Sequence, residues 1–204
     1  MKKKYFTAVM LFLISCAFVS ADTFTFKATR MSGSRALGRE TTILIGNAEV
    51  RSDSLLLRAD RIEIQGKDNQ FIECIGNVWG HEEDKNILFN AERLRYDRKL
   101  KVANLEGNSS LEDRQNRIVT RARFIEYNDI SENAIFQISV RLFKDDMVCR
   151  SEYAVYNRQE KLLDLTGFPV VFKKDDEFRA DKIRVDLDTD DVIMEGSISG
   201  TIMN

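Results

Sequence analysis

Small and apolar residues recur along this chain in two interleaved series with a period near 30 residues. One series places glycine at Gly46, Gly76, Gly107, Gly167 and Gly196, with Ile138 filling the slot in the middle copy, in steps of 30, 31, 31, 29 and 29. The other places Ala28, Ala59, Ala91, Ala122, Ser151 and Ala180 in steps of 31, 32, 31, 29 and 29. A fixed period of this length marks a repeat fold, in which one supersecondary unit is stacked several times. Two and four residues either side of the glycine slot the side chains are apolar or small, as in Leu44, Ala48 and Val50, or Ile72, Cys74 and Val78. The positions between them carry Asn47, Glu49, Glu73, Asn77, Glu106, Asn108, Asp164 and Glu195. Successive side chains alternate across a strand, so this pattern predicts half-buried antiparallel strands.

Around the alanine slot the apolar phase jumps. Two residues before it stand Phe26, Leu57, Phe89, Thr120, Cys149 and Phe178, whereas three and five residues after it stand Ile62 and Ile64, Leu94 and Tyr96, or Ile125 and Tyr127. An even spacing has become odd. A strand keeps facing one core through such a jump only with an inserted residue, which predicts a β-bulge or corner at the alanine slot. Charged stretches such as Gly66-Lys67-Asp68-Asn69, Asp97-Arg98-Lys99 and Lys144-Asp145-Asp146 read as hairpin turns. Pro169, the one proline, reads as an edge or bulge position. About six repeats of 29–32 residues give roughly a dozen strands, almost no helix, and an all-β fold.

Composition narrows the function. The 204 residues hold 31 Lys and Arg against 33 Asp and Glu, a net charge of −2, so no basic excess is available to grip nucleic acid. At 43% hydrophobic the chain can bury a core. Met1-Lys2-Lys3-Lys4, an apolar run from Tyr5 to Val19, and Val19-Ser20-Ala21 have the form of an export signal over 1–21. Cleavage after Ala21 leaves a single domain, 22–204, whose charge falls to −5 with the loss of Lys2, Lys3 and Lys4. Two other readings stay open: Leu13-Ile14-Ser15-Cys16 resembles a lipoprotein box that leaves a lipid on Cys16, and the run could be retained as an anchor. Each places the body outside the cytoplasm.

Reactive side chains are sparse. His81, the single histidine, stands with Glu82, Glu83 and Asp84 in what reads as a hydrophilic turn and offers no metal-ligand spacing. The acidic run Asp186, Asp188, Asp190 and Asp191 reads as a turn rather than a Ca²⁺ loop. Cys74 and Cys149 occupy slots held by Leu, Met or Phe in other copies, several strands apart, and are expected as two free thiols. Trp79 lies on the outward face beside Gly80, where a loop is expected to cover it. Nothing supplies a nucleophile–base pair or a glycine-rich phosphate loop, so an enzyme is not expected.

With these residues in view the chain resembles the OstA/LptA family of periplasmic lipopolysaccharide-transport bridges. The likeness is carried by Phe26-Lys27-Ala28, Thr42 to Val50, Leu57-Arg58-Ala59-Asp60-Arg61-Ile62-Glu63, Gly76-Asn77-Val78 and Phe178-Arg179-Ala180-Asp181, and spans 24–202. Ile138 for Gly, Ser151 for Ala and Thr29 for the usual acidic neighbour depart from it. The resemblance implies a twisted, open β-jelly roll shaped like a folded taco, without catalytic activity or cofactor. Its apolar groove would hold acyl chains of lipopolysaccharide or a related glycolipid. It also implies head-to-tail assembly with further copies and with LptC-like and LptD-like partners of the same fold. On this basis Phe89, Leu94, Tyr96, Leu105, Tyr127, Ile138, Val140 and Tyr156 are the candidate lipid contacts, and Ile43, Ile45, Ile193 and Ile202 the candidate partner edges. A structural or adhesive repeat protein with a dry core, and a membrane-anchored LptC-like relative, are the alternatives. The acidic body would repel an anionic headgroup, which leaves local Arg and Lys to receive it.

Overall fold

The computed structural model describes residues 24–36, 40–52 and 54–203. The proposed export segment, with Cys16, lies outside the described residues. Among the described residues sixteen antiparallel strands form one sheet that does not close. They begin with β1 (Phe24–Lys27), β2 (Arg30–Ser34), β3 (Thr41–Ser52), β4 (Leu55–Gln65), β5 (Phe71–Glu82), β6 (Ile87–Asp97), β7 (Val102–Asp113) and β8 (Ile118–Asn128). They continue with β9 (Asn133–Lys144), β10 (Met147–Asn157), β11 (Leu162–Thr166), β12 (Val170–Lys173), β13 (Asp176–Arg179), β14 (Lys182–Asp186), β15 (Val192–Glu195) and β16 (Ser199–Thr201). Among the described residues one 3-10 turn, Lys67–Asn69, interrupts them. β3 to β10 pair in sequence order, the meander that short charged turns dictate.

Every long strand bends at its middle, so the sheet folds into two leaves that face one another. Leaf A holds segments such as 41–45, 61–65, 93–97 and 124–128, and leaf B holds 48–52, 55–59, 87–91 and 118–121. At the chain ends the strands break at the bend, giving β2, β11, β14 and β15 to leaf A and β1, β12, β13 and β16 to leaf B. The result is the open jelly roll that the family resemblance implies. Pro169 stands at the bend between β11 and β12.

The bend differs from the expectation in one respect: the inserted residue belongs to the glycine slot, not the alanine slot. Ile45 pairs with Arg61 and Ala48 with Ala59, so Gly46 and Asn47 together oppose Asp60 alone. Both bulge residues are left-handed, with φ of 80° and 47°, and the same occurs at Gly76-Asn77. Glycine meets that conformation without a Cβ penalty and also makes room for a neighbour. A methyl on Gly76 would lie 2.5 Å from Asp60 Oδ2. The acid after the alanine slot therefore caps the bulge: the Asn108 amide donates to Glu92 (3.2 Å), that of Ser139 to Glu152 (3.1 Å) and that of Ser197 to Asp181 (3.0 Å).

Inward residues of both leaves form one continuous core. Leu44, Ile62, Cys74, Ile125, Phe136, Leu142, Leu163 and Val171 are fully buried. Gly80 is inward because the Phe89 ring fills its place, with a methyl there falling 2.0 Å from Phe89 Cζ.

Candidate functional site

The space between the leaves is the candidate site, and its walls come directly from the alternation. Phe89, Leu94, Leu105, Tyr127, Val140 and Tyr156 are buried between the leaves and Tyr96 is half-buried beside them. Ile138 is not among them. It is 55% exposed at the bend, because two successive left-handed residues, Ile138 (φ 66°) and Ser139 (φ 57°), turn its side chain off the inward face. Phe89, Leu94, Tyr96, Leu105 and Tyr127 share the wall of an apolar cavity of about 30 Å³, whose polar lip is Glu82, Lys101 and Asp129. That volume holds about two water molecules. The buried Tyr127 hydroxyl has no hydrogen-bond partner.

The free rims of the two leaves meet along a seam of polar contacts that the alternation does not announce. Lys85, on the leaf B rim, reaches Asp129 (2.7 Å) and Glu132 (3.2 Å) on the leaf A rim. Arg158 crosses the other way to Asp113 (2.8 Å), Gln115 (2.7 Å) and the Lys85 carbonyl (3.1 Å), while also holding Glu132 (2.8 Å). Asp113 is fully buried and also accepts the Tyr156 hydroxyl. Towards one end Arg98 donates to Ser52 (3.0 Å), and towards the other Lys144 and Lys173 converge on Asp190 (3.0 and 3.3 Å).

Burial would raise the Glu132 carboxyl, but hydrogen bonds from Arg158 and Lys85 outweigh it and hold the group below its ordinary range. The Lys144 hydrogen bond depresses Asp190 likewise. Glu82, at the cavity lip, is raised because burial dominates its Ser54 hydrogen bond. Apart from Tyr156 and Asp190, which the sequence marks for other roles, the seam residues are not among the candidates read from the sequence. Their one sequence signal is a shared turn slot, since Arg98, Asp129 and Arg158 recur in steps of 31 and 29.

Ile193, on β15, and Ile202, just past β16, lie at the last strands of the two leaves and are 59% and 68% exposed. Ile43 and Ile45 are not at an edge: β3 is flanked there by β2 and β4, with Ile43 opposite Ser32 and Glu63. β1 and β2, formed by the first copy, supply that edge instead. Cys74 and Cys149 are buried free thiols, and burial pushes Cys149 up to about 12. His81 belongs to β5 rather than to a turn. Trp79 is covered by the Arg58 guanidinium, 5.2 Å from its ring, rather than by a loop. The 186–191 turn spends its carboxylates on its own amides and on lysines: Asp186 accepts from Asp188 and Thr189, and Asp188 pairs with Lys161. Among the described residues no group of three or more His, Cys, Asp or Glu is placed to hold a metal.

Residues 22–186 match the model of a family described as OstA-like protein. A search of curated protein sequences gives no match. Among solved structures the chain is similar to LptH, described as the LptA homologous periplasmic component of the lipopolysaccharide transport device of Pseudomonas aeruginosa. The identity is 12% and the TM-score 0.27, over 89% of this chain and 96% of that one.

Proposed function

The chain belongs to the OstA-like family, and on that premise we propose that it is a non-enzymatic periplasmic carrier of lipopolysaccharide or a similar multi-acyl amphiphile. Residues 1–21 serve as its export segment and 22–204 as one domain. The acyl chains lie between the leaves, the headgroup stays outside the rims, and like domains join edge to edge into a bridge between inner and outer membranes. The observation that carries this reading is the apolar cavity under a polar lip, with aromatic and aliphatic walls from both leaves and an unpartnered Tyr127 hydroxyl. That hydroxyl suits the ester or amide carbonyl that joins an acyl chain to its headgroup. Each buried methylene contributes about 0.8 kcal/mol, so a chain of about a dozen carbons gains on the order of 10 kcal/mol by leaving water.

The small volume of the cavity favours a second reading, a structural repeat protein with a dry core. Loading of an acyl chain therefore requires the leaves to part. Photo-crosslinking residues at Leu94, Tyr96, Leu105 and Val140 should capture lipid in cells, and the outward positions Trp79 and Val155 should not. Lipid mass spectrometry of the protein purified under mild conditions names the cargo. A lipid-free protein that crosslinks no lipid and still self-associates would replace the carrier by the structural reading.

A further inference from the structure

Over most of the outer surface, arginines meet carboxylates. Arg58 pairs with Glu49 at 2.9 Å, Arg95 with Glu106 at 2.7 Å and Arg184 with Asp164 at 2.8 Å. Leaf B breaks this pattern in its middle. Arg121 stands directly opposite Arg141, and Arg141 directly opposite Arg150, so that three adjacent strands present a ladder of exposed guanidiniums. Among the described residues none of them, nor the adjacent Arg123, has an ion pair or a hydrogen bond to a carboxylate. Arg121 and Arg150 lie instead over the rings of Phe143 (5.7 Å) and Phe172 (5.1 Å). Like charges directly opposite in a sheet oppose its formation, and guanidinium does not shed its proton to relieve them. A concentrated positive charge thus sits on a protein whose net charge is −2.

The ladder borders a hollow of about 350 Å³ in the outer wall, lined by Arg121, Arg123, Arg141, Ser110, Ser139 and Asn108. It lies where the repeat departs from its own rule. In the other later copies the residue after the alanine slot is an acid (Asp60, Glu92, Glu152, Asp181) that packs on the glycine of the next bulge. Here that residue is Arg123, and the next bulge begins with Ile138. The two nearest acids of the series, Glu92 and Glu152, are turned to the amides of Asn108 and Ser139.

We propose that this hollow is a binding site for phosphate groups. Arg121 and Arg141 supply the forked donors that match phosphate oxygens, Arg123 and Arg150 add charge, and the Ser110 and Ser139 hydroxyls add neutral donors. The chemistry fits a free phosphate or pyrophosphate and equally a phosphorylated lipid headgroup. One row nearer the rim, Val119, Phe143, Val148 and Phe172 are paired side by side, half-buried on the same outer face, and offer apolar support of the kind a headgroup at a bilayer provides. This site is outside the leaves and does not rest on the interior carrying a lipid.

The test is titration calorimetry with pyrophosphate, together with flotation on phosphatidylcholine vesicles with and without phosphatidylglycerol. The triple variant Arg121→Gln, Arg123→Gln, Arg141→Gln should bind at least about tenfold more weakly, the scale of one lost charge-assisted hydrogen bond. A control carrying the same loss of charge at acid-paired positions, Arg58→Gln, Arg95→Gln, Arg184→Gln, should keep its binding. The conservative Arg141→Lys keeps the charge without the fork and should fall between. Thermal melting of each variant establishes that it is folded. Arginine-dependent binding of phosphatidylglycerol vesicles alone identifies a headgroup site, and binding of pyrophosphate as well extends it to free phosphate. If the protein binds neither probe, or if the two triple variants lose binding equally, the site does not exist.

Discussion

Ile138 shows how far one residue can depart from its series. Five copies place glycine at the start of the bulge, and this one places a β-branched residue there at φ 66° with more than half its surface in water. A left-handed conformation costs a non-glycine residue about 1–2 kcal/mol, and branching at Cβ adds to it. Ile138 has little burial to offset that cost. Ile138→Gly is therefore expected to stabilise the fold by about 1 kcal/mol despite the entropy glycine adds to the unfolded chain, read as a higher urea midpoint at unchanged m-value. The same residue marks where sequence reasoning fails. Counting by twos from Val140 puts Ile138 on the inward face, and a bulge of two left-handed residues cancels that count. Leu94, Leu105 and Tyr156 were legible because nothing irregular separates them from their strand neighbours.

Between elements, the seam carries the largest single-residue stakes. Arg158 is nine-tenths buried and is the cation that pairs with the fully buried Asp113. Removing one partner of such a pair leaves a charge without compensation, so Arg158→Ala should cost about 3–5 kcal/mol, measured by denaturant unfolding. Acid should weaken the same contacts. Glu132 and Asp190 are depressed below their ordinary values of 4.5 and 3.8, so their stabilisation is complete above those values and is lost as pH falls through the depressed ones. Glu82 has the opposite sign: its raised pKa means that ionisation in the folded state costs stability, and protonation removes that cost. Unfolding midpoints followed from about pH 7 to about pH 3 should first hold or rise slightly as Glu82 takes up its proton and then drop below about pH 4.5, less steeply in Glu132→Gln. The strands and their order could be read from a 30-residue period because burial repeats with it. The seam could not, because its partners sit in turns and at strand ends, whose polar composition is the same whether they meet another rim or only water.

At the scale of the molecule, the sheet ends, among the described residues, on strands paired along one side only: β1 and β2 at one end, β15 and β16 at the other. Such edges accept further strands, and the proposed head-to-tail assembly uses them. Ile193→Lys with Ile202→Lys should shift the protein towards monomer at concentrations where the unaltered chain associates, as sedimentation velocity would record, because inserted charge blunts an edge. The bulge has a wider consequence. The bulges of β3, β5, β7 and β9 turn the sheet by the same device at the same place, so the transverse profile of this part is independent of how many such copies it contains. Adding or excising residues from one bulge to the next changes the length by two strands, about 10 Å, and leaves both rims on their own sides. Reach along the axis is thus quantised and free to vary in evolution without redesign of the interior.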